Sequence, residues 1–231
     1  MEAPTKDPSS MKNTQEDEET TNLVKDIFRP GQTPGQSVAA YDEWSKNYEE
    51  SLSQGVYNAP YIAVQEVERL VAKEQRERFR VLDVAAGTGW VGRELSKIGF
   101  KDMDALEPSE GMMNLLKKTN VYTLTFQEFL GVGQTSVPKG VYDVVVLAGG
   151  MGDGHIPVSG VDELIHFAKP GGLVIIVMRL EFLETAKEYK GKLEPHMDRL
   201  EKDGRWCKIA RKLVPNYYLD KEGVVFTYRV L

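Results

Sequence analysis

The stretch Arg80-Val81-Leu82-Asp83-Val84-Ala85-Ala86-Gly87-Thr88-Gly89-Trp90-Val91-Gly92 carries the residue types best suited to chemistry. Apolar residues lead into a carboxylate, a run of small residues follows, and then a helical pattern begins. Small side chains let a ligand approach the backbone closely, and Gly accepts the positive φ that tight turns require. The helix after such a turn offers free N–H groups and the positive end of its dipole. Residues 81–95 therefore read as a strand–turn–helix corner that binds a nucleotide or a related cofactor. A second carboxylate, Glu107, ends the next apolar stretch, about 20 residues beyond the small-residue turn. That is the spacing at which an acidic residue meets ribose hydroxyls in nucleotide-binding α/β folds.

Two cofactors compete for this corner. Gly87-x-Gly89-x-x-Gly92 matches the dinucleotide fingerprint, which alone is weak evidence. Asp83-x-Ala85-x-Gly87-x-Gly89 matches the S-adenosylmethionine loop, acidic-x-Gly-x-Gly-x-Gly, with Ala85 in place of the first Gly. Asp83 favours the second reading. A carboxylate at the end of the first strand opposes a pyrophosphate and suits a cofactor with a cationic amino acid end. The Gly-Lys-Ser/Thr of a phosphate-binding P-loop is missing. Ser109 has the type and place of a helix cap, with Glu110 behind it at the positive helix end. Met112 falls on the first turn, within reach of an adenine face.

Together these motifs resemble the class I S-adenosylmethionine-dependent methyltransferases. The carrying residues are Asp83 to Gly89, Glu107-Pro108-Ser109-x-x-Met112, Tyr142-Asp143-Val144-Val145-Val146 and Lys169-Pro170-Gly171-Gly172. Tyr41-Asp42-x-Trp44-x-x-x-Tyr48 and Ala148-Gly149-Gly150-x-x-Asp153-Gly154-His155-Ile156-Pro157 are similar to the methyltransferase-like proteins named for the Williams–Beuren syndrome chromosome region. The departures from that group are Ala86 and Trp90. The resemblance implies S-adenosyl-L-methionine as cofactor. It is expected to be held by Asp83, Ala85, Ala86, Gly87, Thr88, Gly89, Glu107, Pro108 and Met112. Gln127 and Glu128 should meet the adenine edge, and Ala148 and Gly149 should lie beside the sulfonium. Tyr41 and Tyr48 are expected to close over the cation, where an aromatic face contributes about 0.5–2 kcal/mol. Trp44, Met151 and His155 are the candidates on the acceptor side. His155 is the candidate general base, since imidazole titrates nearest neutrality. A base is needed only where the acceptor must lose a proton.

The elements that must position these residues alternate from about Ser37 onward. An aromatic stripe at 37–53 and an apolar face after Pro60 predict two helices. Strands are predicted at 80–84, 102–107, 121–126, 141–148 and 173–178, with helices at 89–98, 109–118 and 160–168 between them. A helix-rich stretch over 181–203 follows. Then two strands, 206–214 and 224–230, are joined antiparallel through 215–223. The predicted fold is α/β, a Rossmann-like seven-stranded class I methyltransferase sheet, mostly parallel with an antiparallel C-terminal pair. A plain dinucleotide domain does not end this way.

The chain has 231 residues, 41% of them hydrophobic and 28% charged, which fits one soluble domain over 37–231, with 37–78 as a helical lid. Residues 20–53 are expected to be mobile without cofactor and ordered with it. Residues 1–36, with the acidic run Glu16-Asp17-Glu18-Glu19, read as a disordered tail. The alternative for Leu23, Val24, Ile27 and Phe28 is one helical turn docked on the core. No apolar run reaches about 18 residues, so no membrane span is expected, nor is a secretory leader. The single Cys207 agrees with a reducing, cytoplasmic location. No His/Cys/Asp/Glu grouping has metal-site spacing, so no metal is expected. A net charge of −6 argues against a nucleic-acid partner. The acceptor is unidentified, with a small molecule preferred over a protein side chain. A non-catalytic cofactor-binding or scaffold module, and an NAD-binding enzyme, stay open as alternatives.

Overall fold

The computed structural model describes residue 24 and residues 27–52, 55–133 and 135–231. The acidic run at 16–19 and Leu23 lie outside the described residues. Seven strands form one sheet: β1 (Arg80–Val84), β2 (Asp102–Leu106), β3 (Leu124–Phe126), β4 (Tyr142–Ala148), β5 (Ala168–Arg179), β6 (Trp206–Tyr218) and β7 (Lys221–Val230). Their order is β3-β2-β1-β4-β5-β7-β6. The pairs from β3 to β5 are parallel, and β7 runs antiparallel to both β5 and β6. Strand order reverses between β1 and β4, and ligands bind outside the carboxyl ends of strands at such a switch point.

The apolar runs are buried on both faces because helices cover both sides. Along β4, Val144 and Val146 pack on one side, and Val145 and Leu147 on the other, as a two-residue period requires. The first side is covered by α3 (Ala59–Leu70) and α5 (Trp90–Lys97), through Val64, Val67 and Leu95. The second is covered by α7 (Gly160–Phe167), α8 (Phe182–Thr185) and α9 (Leu193–Lys202). A short α4 (Lys73–Arg76) precedes β1, and α6 (Glu110–Lys118) follows β2. Ser109 caps α6, its Oγ accepting the Met112 N–H at 3.1 Å.

Several elements differ from their sequence expectation: β3 is shorter than the expected 121–126 and β5 longer than 173–178. The helix expected at 37–53 starts earlier, as α1 (Pro34–Trp44), because Thr33 and Gln36 form a capping box and Pro34 suits the first turn. It then tightens through a 3₁₀ turn at Ser45–Asn47 into α2 (Tyr48–Ser51). The helix-rich stretch after β5 splits into α8 and α9. Residues 215–223 are largely strand: β6 and β7 continue past Pro215 through bulged pairing and turn at Leu219 and Asp220. Finally, the tail boundary at residue 36 falls too late. Val24 and Ile27 are buried in the same cluster as Trp44 and Val67. Burial of those apolar side chains offsets the entropy of ordering this segment.

Candidate functional site

The turn after β1 has the backbone that the small-residue motif anticipates. Gly87 and Gly89 have φ of 56° and 81°, and Ala85 stands at φ 53°. The position where Ala replaces the motif's Gly is thus one that glycine prefers, at a cost to Ala of roughly 1–2 kcal/mol. Glu107 crosses from β2 to hold this turn. Its Oε2 accepts the Gly87 N–H at 2.8 Å and its Oε1 accepts the Ser109 N–H at 2.9 Å.

A cavity of about 660 Å³ opens above this floor at the carboxyl edge of the sheet. Its wall includes Ala85, Gly87, Glu107, Pro108 and Met112 from the first two strand ends, and Glu128 from beyond β3. Ala148 and Gly149 close it at β4, and Tyr41, Tyr48 and His155 roof it. Gly149 must be glycine: a Cβ there would run into the Tyr57 hydroxyl.

Other expected residues stand behind the wall. Asp83 shares the sheet face of Val81, so strand alternation turns it away from the opening. Its Oδ2 accepts the Tyr122 hydroxyl at 2.6 Å, and that same oxygen of Tyr122 accepts the Gly92 N–H at 3.1 Å. The expectation that Asp83 forms the anionic wall is corrected accordingly. Asp83 braces the turn from below, and Glu107 presents the carboxylate. Ala86 packs with Ala105, Met113 and Leu116. Gly89 starts α5, and Thr88 donates to Glu49 at 2.6 Å. Gln127 does not line the cavity, and Met151 is a core residue under the loop after β4. Burial pushes both key carboxyls up to about 7. Hydrogen bonds, from Tyr122 to Asp83 and from the Gly87 and Ser109 N–H groups to Glu107, counter this only in part.

Two carboxylates, Asp42 of the aromatic motif and Glu49, tie the segment of α1 and α2 to the turns below it. Asp42 Oδ1 accepts the Ser109 hydroxyl at 2.6 Å and the Gly111 N–H at 3.0 Å. Glu49 pairs with Arg93 at 2.6 Å. Trp44 is buried, stacked on Tyr41 at 6.0 Å between ring centroids and edge-on to Tyr48 at 4.7 Å.

His155 is neutral and oriented. Its Nδ1 lies 2.9 Å from the Asp153 carbonyl, which fixes the proton there, so Nε2 accepts the Tyr41 hydroxyl at 3.0 Å. Phe28 stacks on the ring at 4.5 Å. Burial pushes the imidazole down to about 4.

A second, narrow cavity adjoins the first, sharing Tyr41, Tyr48, Tyr57 and Gly149 with it. Trp44 and Arg179 are on its wall. The Arg179 guanidinium lies over the rings of Phe28, Phe182 and Tyr218 at 5.5, 5.0 and 4.9 Å. One of its terminal nitrogens pairs with Glu181 at 3.1 Å, while the buried Nε has no hydrogen-bond partner. Such an unmade bond costs about 1–3 kcal/mol. Among the described residues, no group of His, Cys, Asp and Glu has metal-site geometry, and no helix is long and apolar enough to cross a membrane.

A seven-stranded sheet in this order, with a carboxylate-floored cavity at its switch point, is the class I methyltransferase architecture. A sequence model described as "Methyltransferase domain" matches residues 56–224, and the chain belongs to that family, whose cofactor is S-adenosylmethionine. It is 33% identical over 171 residues to methyltransferase-like protein 27 of Homo sapiens, covering 74% of this chain and 68% of that protein. A demethylmenaquinone methyltransferase of Clavibacter sepedonicus is 32% identical over 148 residues, 62% of this chain and 58% of that protein. Among solved structures, a SAM dependent methyltransferase from Aquifex aeolicus superposes with a TM-score of 0.57 at 16% identity, covering 82% of this chain and 98% of that one.

Proposed function

We propose that this protein binds S-adenosylmethionine in the larger cavity and transfers its methyl group to a small-molecule acceptor seated in the smaller one. The observation that carries this reading is the wall the two cavities share, Tyr41, Tyr48, Tyr57 and Gly149, which sets the smaller cavity directly beside the one that Glu107 lines. The residues fit the cofactor. A desolvated carboxylate faces a ligand rich in donors, Met112 offers an apolar face, and glycine at 149 makes room for the Tyr57 hydroxyl on the wall between the two cavities. The roof of Tyr41 and Tyr48 shields the junction from water. A narrow site lined by aromatic side chains suits a small acceptor better than a bulky folded protein surface. The bacterial relatives named for demethylmenaquinone point the same way.

The cofactor supplies a methyl group already activated on a sulfonium, so this chain's main task is alignment. Where the acceptor carries a proton, Tyr41 takes it at its hydroxyl oxygen and passes its own proton to His155 Nε2. The positive charge then ends on the imidazolium. The Asp153 carbonyl holds the ring in the tautomer that can accept.

Calorimetry with S-adenosylhomocysteine tests the cofactor assignment, and NAD binding without any response to S-adenosylhomocysteine would refute it. A radiolabelled methyl-transfer screen over small-molecule extracts tests the acceptor class. With a proton-bearing acceptor in hand, His155→Asn and Tyr41→Phe should each lower kcat about 10²–10⁴-fold. The His155→Asn loss should shrink as pH rises and the acceptor ionises unaided.

A further inference from the structure

We infer that the acceptor is a planar aromatic acid whose anionic oxygen pairs with Arg179, its methyl-accepting atom lying at the opposite end, by Gly149. This rests on the proposed methyl-transfer reading and narrows it to a substrate class. Three observations lead to it. First, the smaller cavity is walled by aromatic rings, including Phe28, Tyr41, Trp44 and Tyr217. Flat π-faces on several sides favour a flat ligand. Second, the one formally charged side chain on that wall among the described residues is cationic. Arg179 is 13% exposed, so a neutral ligand would leave its guanidinium facing an apolar space. Third, the cation is under-compensated. Glu181 meets one terminal nitrogen and divides its charge with Lys221 at 3.3 Å, and the buried Arg179 Nε–H has no acceptor among the described residues. An oxyanion arriving in the cavity would satisfy that donor and restore charge balance.

Placement follows from the walls. Arg179 lines only the smaller cavity, whereas Gly149 lines both. An acid anchored on Arg179 therefore points its other end at the junction where transfer takes place. Arginine suits this role because its planar fork matches a carboxylate and stays charged at every working pH. The apolar rings around it lower the local dielectric and strengthen that pairing. They also exclude water, which would otherwise compete for the same donor.

The test uses the full chain saturated with S-adenosylhomocysteine, followed by calorimetry and by the fluorescence of Trp44. The probes are 4-hydroxybenzoate and 6-hydroxy-2-naphthoate, each compared with its neutral primary amide. The expected result is that at least one acid binds tenfold or more tighter than its amide. Arg179→Gln should abolish that preference, weakening the acid more than the amide, while S-adenosylhomocysteine binding in the other cavity is kept. Arg179→Lys, which keeps the charge but loses the fork, should restore part of it. Equal binding of acid and amide to the unaltered protein would overturn the inference, as would an acid preference that survives Arg179→Gln. Loss of S-adenosylhomocysteine binding by the unaltered protein would instead sink the underlying methyl-transfer reading. Cofactor binding with no acid binding would sink only the substrate class.

Discussion

Asp83 and Glu107 are carboxyls that water has been taken from, and both are held near 7 instead of their ordinary values of 3.8 and 4.5. A raised carboxyl stabilises the folded state fully below its unfolded value. That contribution is lost as pH rises through about 7. The free protein should therefore lose stability between about pH 4 and 7 from this cause. A ligand that donates hydrogen bonds or brings positive charge favours the ionised form, so its affinity should move the other way. Binding of S-adenosylhomocysteine is expected to be tighter at pH 8 than at pH 6, by about tenfold for each carboxylate it ionises. Titrations across that range check the sign, and a flat profile would show that the carboxyls are already ionised. Glu107→Gln should weaken binding by about 1.5–3 kcal/mol and flatten the pH dependence. Ala85 makes the opposite kind of prediction. Ala85→Gly relieves the left-handed strain, so it should raise unfolding stability by about 1 kcal/mol after glycine's own entropy cost is deducted. Denaturant melts measure this directly.

At the scale of elements, the lid is held by contrast with what it covers. α1 and α2 bring Asp42 and Glu49 down onto Ser109, Gly111, Thr88 and Arg93, all on or beside the cofactor turn and the start of α6. Asp42 also adds to the electrostatic load on Glu107. The latch is therefore built from the same donors that surround the cofactor floor, and cation binding should ease the repulsion among these carboxylates. Hydrogen exchange should show residues 34–51 more protected with S-adenosylhomocysteine than without it. In Asp42→Asn combined with Glu49→Gln, protection in the free protein should fall further, while β1 and β4 stay unchanged. Equal exchange in all four samples would make the lid ordinary core.

At the scale of the whole molecule, the N-terminal segment is part of the site. Ile27 is 1% exposed, and Phe28 both stacks on His155 and lies under Arg179. Ile27→Ala should cost about 2–5 kcal/mol. For a chain of this size that lowers Tm by roughly 4–20 °C. Phe28→Ala should cost less stability, since its ring is only partly buried, but it should disturb both His155 and the acceptor cavity. A thermal scan beside a methyl-transfer assay separates the two effects. Removing residues 1–36 should lower stability too, because the deletion takes Val24 and Ile27 out of the core.

The order of strands and helices, the left-handed turn after β1 and the carboxylate of Glu107 could all be read from the sequence. Each depends on residues close together in the chain: a two-residue alternation, a glycine spacing, a cap at Ser109. Alternation along β1 could also have shown that Asp83 and Val84 face opposite ways, but not which side of the sheet holds the cavity. That depends on strand order, which long-range pairing sets. The aromatic stripe of Tyr41, Trp44 and Tyr48 was visible, yet whether it roofs a ligand or fills a core was decided by what packs above and below it. Glu49, Tyr57 and Arg179 carried no local pattern at all, and Asp42 carried only its place in the aromatic motif. Their partners are far away in the chain, so their roles arose only when folding brought those partners within hydrogen-bond or ring-contact distance. Local spacing determined the turn after β1, and tertiary packing decided how α1 and α2 seat, how His155 is held and where Arg179 lies, because burial and charge pairing belong to the assembled molecule.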